Sequence, residues 1–222
     1  MVVIKPELND KQDKYLIVSI FMFLLSFIVS ILLMSHYYYH ESFSFDNQAG
    51  NYVMHIRNGV LNNIFKGITM AGDVVPNIIL TAIVGAIFVN LKKKREGLFF
   101  TLNILGIWVF NALLKDIFKR ARPSGKWLVD AIGYSFPSGH AMVFMGFSLL
   151  LIYYILIFMK NKSWKWLLSI VILAFGILVG LSRVYLGVHY LSDVLTGWSV
   201  AVLWVSASIV IYRIPSLKYR IA

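Results

Sequence analysis

Long apolar runs separated by short polar segments are the main feature of this 222-residue sequence. A helix that crosses a bilayer needs about 20 mostly apolar residues, because no water is present there to satisfy its backbone. The pattern predicts six such helices: Tyr15–Met34, Ile68–Leu91, Gly97–Phe118, Ser138–Met159, Trp166–Tyr185 and Tyr190–Tyr212. We therefore expect an all-α, polytopic membrane protein in which residues 1–222 form a single domain.

The longest connection, between the first and second predicted spans, has a helical pattern of its own. Val53, Ile56, Val60 and Ile64 recur at helical spacing, with polar residues between them. This pattern predicts an amphipathic helix that lies along the outer membrane surface. A helix packed against the bundle is the alternative interpretation.

Composition agrees with a membrane protein and excludes several other classes. The chain is 59% hydrophobic and 14% charged, whereas a soluble domain of this length needs a more polar surface. Its net charge of +11 comes from short basic clusters between apolar runs, which is typical of membrane proteins and not of nucleic-acid binding. Cysteine is absent, so disulfides and thiolate chemistry are excluded.

The distribution of Lys and Arg predicts an orientation. If the N-terminus is cytoplasmic, most basic residues fall on the cytoplasmic side, including the runs 92–95 and 160–165. The opposite side holds fewer, and three of those belong to the clusters described next. We therefore predict a plasma-membrane protein with both termini in the cytoplasm.

Three polar clusters interrupt the apolar pattern at the predicted outer boundary of the membrane. They are Lys115 with Arg122-Pro123, then Pro137-Ser138-Gly139-His140, and finally Ser182-Arg183 followed by His189 and Asp193. Ionisable groups at such depths are costly unless they are paired or face water, so they indicate a functional site.

The cations and one helix start in these clusters have the chemistry of a phosphate site. Lys115, Arg122 and Arg183 supply three positive charges, two of them guanidinium groups suited to bidentate contacts. Pro137 fits the first turn of a helix, where its missing N–H is no loss. The amides of Ser138 and Gly139 would then point outward at a helix N-terminus, which favours an anion.

The histidines in the clusters suggest a reaction. His189 and Asp193 are four residues apart, so on a helix they would share one face, and the carboxylate would leave one imidazole nitrogen unprotonated for attack on phosphorus. His140 could then protonate the leaving oxygen. A structural hydrogen bond or half of a metal site would give the same spacing. The neighbouring cations argue against a metal, and we predict neither a metal nor another cofactor.

Together the clusters match the tripartite signature of the type 2 phosphatidic acid phosphatase superfamily, which this chain resembles over residues 115–193. The resemblance implies a metal-independent phosphatase in which His189 forms a phosphohistidine and His140 donates a proton. Asp193 would orient His189. The phosphate-binding residues would be Lys115, Arg122, Ser138, Gly139 and Arg183. Soluble vanadium haloperoxidases share the signature, but the apolar chain argues against that branch.

A substrate that resides in the bilayer fits a site at the membrane surface, so we expect a lipid phosphate as the partner. Undecaprenyl pyrophosphate is the expected substrate, because Lys119, Arg120 and Lys126 could contact a second phosphate. Phosphatidylglycerol phosphate and phosphatidic acid are the alternatives. A transporter or an anion-binding scaffold is disfavoured, because the charges crowd one boundary and the span centres are apolar. Asp73 is predicted to cap the second span, with a polar contact to the site as the other possibility.

Overall fold

The computed structural model describes the backbone of residues 10–221 and the side chains of residues 14–213. The two chain ends, whose cytoplasmic location the sequence predicts, lie outside the described residues. In the described part the chain forms eight helices: α1 (Asp10–His40), α2 (Ser44–Ile56), α3 (Gly59–Met70), α4 (Val74–Asn90), α5 (Lys94–Phe118), α6 (Gly139–Phe158), α7 (Lys162–Tyr185) and α8 (Leu191–Ile221).

Five of these helices are long and apolar enough to cross a membrane, namely α1, α5, α6, α7 and α8. A sixth candidate is the pair α3 and α4, whose axes differ by 50° at the break between them. The prediction of an all-helical, multi-pass membrane protein is therefore confirmed. The exact set of six spans stays a prediction.

The segment between the first and second spans differs from the sequence prediction. Residues 53–64 form parts of two helices and not one, because Arg57 is extended and Asn58 caps the start of α3 by accepting the amide N–H of Leu61 at 3.0 Å. Arg57 is held there by its guanidinium, which donates to the carbonyl oxygens of Lys126 and Tyr185. Whether these helices lie along the membrane surface stays a prediction.

The predicted second span is also interrupted. Ile68 belongs to α3, which ends at Met70, and the helix restarts at Val74. The break contains Gly72, where an added Cβ would lie 2.8 Å from both the His140 ring and the Val179 side chain. The turn can therefore approach α6 and α7 only without a side chain at position 72.

The core is built around α6, which packs against α5, α7 and α8. Its buried side chains include Met142 and Leu150, which join Phe100, Ile107 and Val200 in one cluster. Helix α1 packs along α8, and α4 packs on α5. Gly197 on α8 allows a close approach to the start of α6, since an added Cβ there would lie 2.9 Å from the carbonyl oxygen of Ser138.

Many large apolar side chains on the outer helices are exposed. Examples are Ile17 and Leu32 on α1, Val75 and Ile79 on α4, and Ile170 on α7. Soluble proteins rarely expose so much contiguous apolar surface, whereas hydrocarbon tails are a favourable environment for it. The outward faces of the bundle are therefore the lipid-facing surface.

The two ends of the bundle differ in chemistry. The carboxyl ends of α5 and α7 meet the amino ends of α6 and α8 at one end, which also holds the α3–α4 break. At the opposite end, Tyr15 donates to the carbonyl oxygen of Leu156, and Arg213 donates to the hydroxyl of Tyr153. The three polar clusters of the sequence all lie at the first end.

Candidate active site

His189 and Asp193 are in contact at the start of α8. Nδ1 of His189 lies 3.2 Å from Oδ2 of Asp193, as the spacing predicts. The helical context is different, because α8 begins at Leu191 and His189 precedes it. Asp193 lies in the first turn of α8 and caps its start, since its Oδ2 also accepts the amide N–H of Tyr190 at 2.9 Å. Both side chains are almost completely buried.

Arg122 contacts the other nitrogen of the same imidazole. Its Nη1 lies 3.1 Å from Nε2 of His189 and also donates to the carbonyl oxygen of Val188. A guanidinium only donates, so Nε2 must be the unprotonated nitrogen and Nδ1 must carry the proton. Burial lowers the pKa of His189 to about 3. The imidazole is therefore neutral at physiological pH, with a lone pair on Nε2.

The start of α6 provides backbone donors, but in a different arrangement from the predicted one. Pro137 precedes the helix, and Ser138 is its N-cap, with a side chain that accepts the amide N–H of Ala141. The prediction that the Ser138 amide points outward is wrong, because this amide donates to the carbonyl oxygen of Asp193 at 3.0 Å. Gly139 begins the helix, where the first amides have no intrahelical acceptor.

Lys115 lies beside Gly139 at the end of α5. Its ammonium donates to the carbonyl oxygen of Tyr134, in the connection that leads to α6. An added Cβ at Gly139 would lie 3.0 Å from Oδ1 of Asn111 and 3.9 Å from Cε of Lys115. Because Gly139 has no side chain, the backbone at the start of α6 can lie close to the Asn111 and Lys115 side chains of α5.

Arg183 reaches the site from the end of α7. Its Nη1 donates to the hydroxyl of Thr69 on α3 at 2.7 Å. The side chain is buried, and its Nε has no hydrogen-bond partner among the described residues. A buried guanidinium N–H without an acceptor is costly, and an anion in the site would remove that cost.

His140 pairs with Asp73 across the break between α3 and α4. Nε2 of His140 lies 2.8 Å from Oδ1 of Asp73. Asp73 stands at the N-cap position of α4, but its side chain makes no capping hydrogen bond there. The expected cap is therefore absent, and the alternative polar contact with the site is confirmed.

Arg120 has different partners from those that the sequence predicts. The prediction that it contacts a second phosphate is wrong, because its guanidinium is buried between Asp46 and Asp193 at 2.8 and 2.6 Å. Lys119 and Lys126 remain exposed. Ser135 was also missed, although its hydroxyl donates to Oδ2 of Asp193 at 2.5 Å. No apolar periodicity marks either residue in the sequence, because Asp46 lies on the short helix α2 between the first two predicted spans and Ser135 lies in the connection between α5 and α6.

Two cavities adjoin these residues. One, of about 210 Å³, lies between α4, α5 and α6 and is lined by Lys115, Gly139 and His140 together with apolar side chains such as Val74 and Trp108. The other, of about 150 Å³, lies between α2 and the turn at residues 123–126 and reaches His189. The site can thus be approached from an apolar side and from a polar side.

Comparison with known proteins identifies relatives of this chain. The PAP2 superfamily model matches residues 96–216. Phosphatidylglycerophosphatase B of Bacillus subtilis is 36% identical over 152 residues, covering 67% of this chain and 73% of that protein. Undecaprenyl-diphosphatase BcrC of Bacillus subtilis is 30% identical over 151 residues, covering 66% of this chain and 72% of that protein.

A solved structure is similar over nearly the whole chain. The crystal structure of a transmembrane PAP2-type phosphatidylglycerolphosphate phosphatase from Bacillus subtilis superposes with a TM-score of 0.79 at 28% sequence identity. The match covers 91% of this chain and 98% of that chain.

Proposed function

This chain belongs to the PAP2 superfamily, and on that basis we propose that it removes a terminal phosphate from a membrane lipid through a phosphohistidine on His189. The observation that carries the proposal is the hydrogen bonding of this imidazole. Nδ1 faces Asp193 at 3.2 Å and Nε2 faces Arg122 at 3.1 Å. A neutral, oriented imidazole beside a cation is the arrangement that a nucleophile for an anionic phosphate requires.

In the first half of the reaction, Nε2 of His189 attacks phosphorus and the bond from phosphorus to the lipid oxygen breaks. Asp193 stabilises the positive charge that the imidazole gains. Lys115, Arg122 and Arg183 neutralise the phosphoryl oxygens, and the Gly139 amide and the Ser138 hydroxyl add donors. A phosphate oxygen takes over the Arg122 donor that now points at Nε2, which frees the lone pair. The same oxygens give the Nε of Arg183 its acceptor.

His140 supplies the proton that the leaving lipid oxygen needs. His140 begins the reaction protonated. Its Nε2 donates to Asp73, so Nδ1 is the nitrogen that transfers the proton. In the second half, the neutral His140 accepts a proton from water, and the resulting hydroxide displaces His189 from phosphorus. Inorganic phosphate leaves, and both histidines return to their starting states. No step uses a metal ion.

The apolar cavity suits the lipid part of the substrate. It lies against His140, where the leaving oxygen must be protonated, and its wall includes Val74 and Trp108. Phosphatidylglycerol phosphate is the first candidate substrate, because the relative that shares 36% identity carries that activity in its name. Burial of Arg120 removes one of the three residues on which the expectation of a second phosphate rested.

Undecaprenyl pyrophosphate is the second candidate, favoured by the 30% identical relative named for that activity. Lys126 supports it, since this exposed lysine lines the polar cavity that reaches His189. Both lipids present a terminal phosphate to His189. Phosphatidic acid, which the sequence also suggested, has no such support among the relatives described above.

The site faces the outside of the plasma membrane in this proposal, and both termini are cytoplasmic. The support is the charge at the opposite end of the bundle, where Lys93 contacts Phe158 and Arg213 contacts Tyr153. Basic residues concentrate on the cytoplasmic side of membrane proteins. At the site end, Arg120, Arg122 and Arg183 are occupied by local partners and count less towards topology.

The deciding experiment measures phosphate release in detergent with EDTA present. Wild type, His189→Ala and the control His55→Ala, which removes an exposed histidine from α2, are compared on the three lipids. Release by wild type and His55→Ala, with none by His189→Ala, supports the proposal. Alkaline-stable, acid-labile label on the wild type after quenching identifies phosphohistidine. An active His189→Ala variant would overturn the nucleophile assignment, and the rank of the lipids decides between the two candidate substrates.

A further inference from the structure

Arg120 occupies an unusual position for a residue so close to the site. It lies in the connection after α5, yet its side chain is only 5% exposed. Its Nη2 donates to Oδ2 of Asp46 at 2.8 Å, and its Nη1 donates to Oδ1 of Asp193 at 2.6 Å. The guanidinium therefore bridges two buried carboxylates from two different helices.

The surroundings of Arg120 hold the bridge in one geometry. The guanidinium lies 4.0 Å from the centre of the Tyr190 ring and 4.8 Å from that of Tyr37. Ser192 completes the network, because its amide and its hydroxyl both donate to Asp46, at 2.8 and 2.6 Å. A buried charge group with this many partners has a well-defined orientation, and removal of one member leaves the others unpaired.

The bridge determines which oxygen of Asp193 faces the nucleophile. Arg120 donates to Oδ1 of Asp193. The other oxygen, Oδ2, therefore accepts from Nδ1 of His189, the hydroxyl of Ser135 and the amide of Tyr190. Asp46 in turn holds Arg120 from helix α2, outside the bundle. A continuous chain of contacts thus runs from α2 through Arg120 and Asp193 to His189.

We propose that Asp46 and Arg120 are positioning residues that orient Asp193 and, through it, the nucleophile His189. Neither residue touches the phosphate. Asp46 fixes the guanidinium, and the guanidinium fixes the carboxylate rotamer that keeps the proton of His189 on Nδ1. Helix α2 thereby contributes to catalysis from outside the bundle. The inference rests on the proposed role of His189 as nucleophile.

Charge and geometry can be tested separately at position 120. Arg120→Gln removes both, and we expect kcat to fall by roughly 10–100-fold with little change in KM, as is typical when an outer partner of a site residue is lost. Arg120→Lys keeps the charge but cannot bridge both carboxylates, so kcat falls as well. Lys66→Gln, which removes an exposed cation from α3, is the control and leaves kcat unchanged.

The pH dependence of kcat/KM supplies a measurement that a merely structural role would not move. The charged groups around His189 are Lys115 from α5, Arg122 from the connection, and Asp193 from α8, with Arg120 and Asp46 behind Asp193. Loss of the Arg120 charge favours a protonated His189, so Arg120→Gln moves the acid limb to higher pH. Arg120→Lys leaves the limb in place, and Asp46→Asn does not move it upward.

Coupling between the two positions completes the test. We expect Asp46→Asn to lower kcat, and the double variant with Arg120→Gln to be less impaired than the product of the two single losses. Elution profile and melting temperature in detergent identify any variant that fails to fold, in which case Arg120→Lys and Asp46→Glu replace it. Wild-type kcat in both single variants, together with an acid limb that does not move in Arg120→Gln, would overturn the positioning role. A fully active His189→Ala would overturn the proposed function instead.

Discussion

Nε2 of His140 lies 2.8 Å from Oδ1 of Asp73, although the two residues are 67 positions apart in the chain. The contact joins the start of α6 to the break between α3 and α4. It gives a carboxylate hydrogen-bond partner to the histidine that we propose as proton donor to the leaving group. The carboxyl group of Asp73 is half-exposed, and among the described residues His140 is its side-chain hydrogen-bond partner.

We predict that Asp73→Asn impairs lipid turnover through the leaving group. The amide cannot stabilise a protonated His140, so kcat for a lipid phosphate should fall by roughly 100-fold, within the range for loss of a general acid. Turnover of p-nitrophenyl phosphate, whose leaving group needs no proton, should fall much less. The measurement is the ratio of the two activities for wild type and variant.

Asp130→Asn serves as the control for that comparison, because Asp130 is an exposed carboxylate in the connection between α5 and α6. Its ratio of activities should equal that of wild type. Equal losses on both substrates in Asp73→Asn would show that Asp73 supports the fold or the phosphate site and not proton transfer.

Gly72 provides a steric prediction about the same contact. An added Cβ would lie 2.8 Å from both Cδ2 of His140 and Cγ1 of Val179, so Gly72→Ala must displace one of them. We expect a loss of roughly 1–3 kcal/mol in stability, as for overpacking elsewhere, together with lower phosphatase activity. The melting temperature in detergent and the rate of phosphate release measure the two effects.

Gly67→Ala is the matched control for this steric effect. Gly67 lies in α3, close to the break that contains Gly72, but nothing lies within 4 Å of an added Cβ there. Alanine has the higher helix propensity, so this variant should melt at the same temperature as wild type or slightly above it. If Gly72→Ala behaved like Gly67→Ala, the close approach of the α3–α4 break to His140 would be contradicted.

The sequence was sufficient to assemble the proposed site because charges at span ends are informative. Lys115, His140 and His189 stand where an apolar pattern stops, and the cost of an ionisable group in a bilayer makes such positions exceptional. Because successive spans cross the membrane in alternating directions, these span ends were predicted to lie at one membrane boundary. The contact between His189 and Asp193 follows from their spacing, even though α8 starts after His189.

Other features depend on contacts that no local pattern encodes. Asp46 and Arg120 are 74 positions apart, and each alone resembles an ordinary polar residue in a connection. The break at Asn58 was missed because apolar residues keep their helical spacing across it. Helix α2 ends where the guanidinium of Arg57 donates to the carbonyl oxygen of Tyr185, and this tertiary interaction overrides local periodicity.

The proposed topology can be checked by labelling, because the chain contains no cysteine. Ser124→Cys introduces a thiol at the site end, and Ser163→Cys introduces one at the opposite end; both serines are exposed. In intact cells, a membrane-impermeant maleimide should label Ser124→Cys only. After the cells are permeabilised, both variants should react.

The reverse pattern in intact cells would place the site in the cytoplasm. It would contradict the proposed orientation and, with it, access to lipids of the outer leaflet. Labelling of both variants only after permeabilisation would equally contradict an outward-facing site. The phosphatase activity of each variant, measured in detergent, confirms that the labelled protein is folded.

Stability should depend on pH through His189. Burial lowers the pKa of this imidazole from 6.5 to about 3, so below pH 6.5 the unfolded chain takes up a proton that the folded protein does not. The effect is absent above pH 6.5 and grows as the pH falls towards 3. At pH 5 it should cost about 2 kcal/mol, which lowers the melting temperature by a few degrees.

The comparison that isolates this effect is the difference in melting temperature between wild type and His189→Gln at pH 5 and at pH 7.5. Glutamine does not titrate, so wild type should lose more stability than the variant when the pH is lowered. His55→Gln, which removes an exposed histidine, should follow the wild-type curve. A difference between wild type and His189→Gln that stays constant with pH would show that His189 is not held neutral in the folded protein, and the lone pair on Nε2 would then need another explanation.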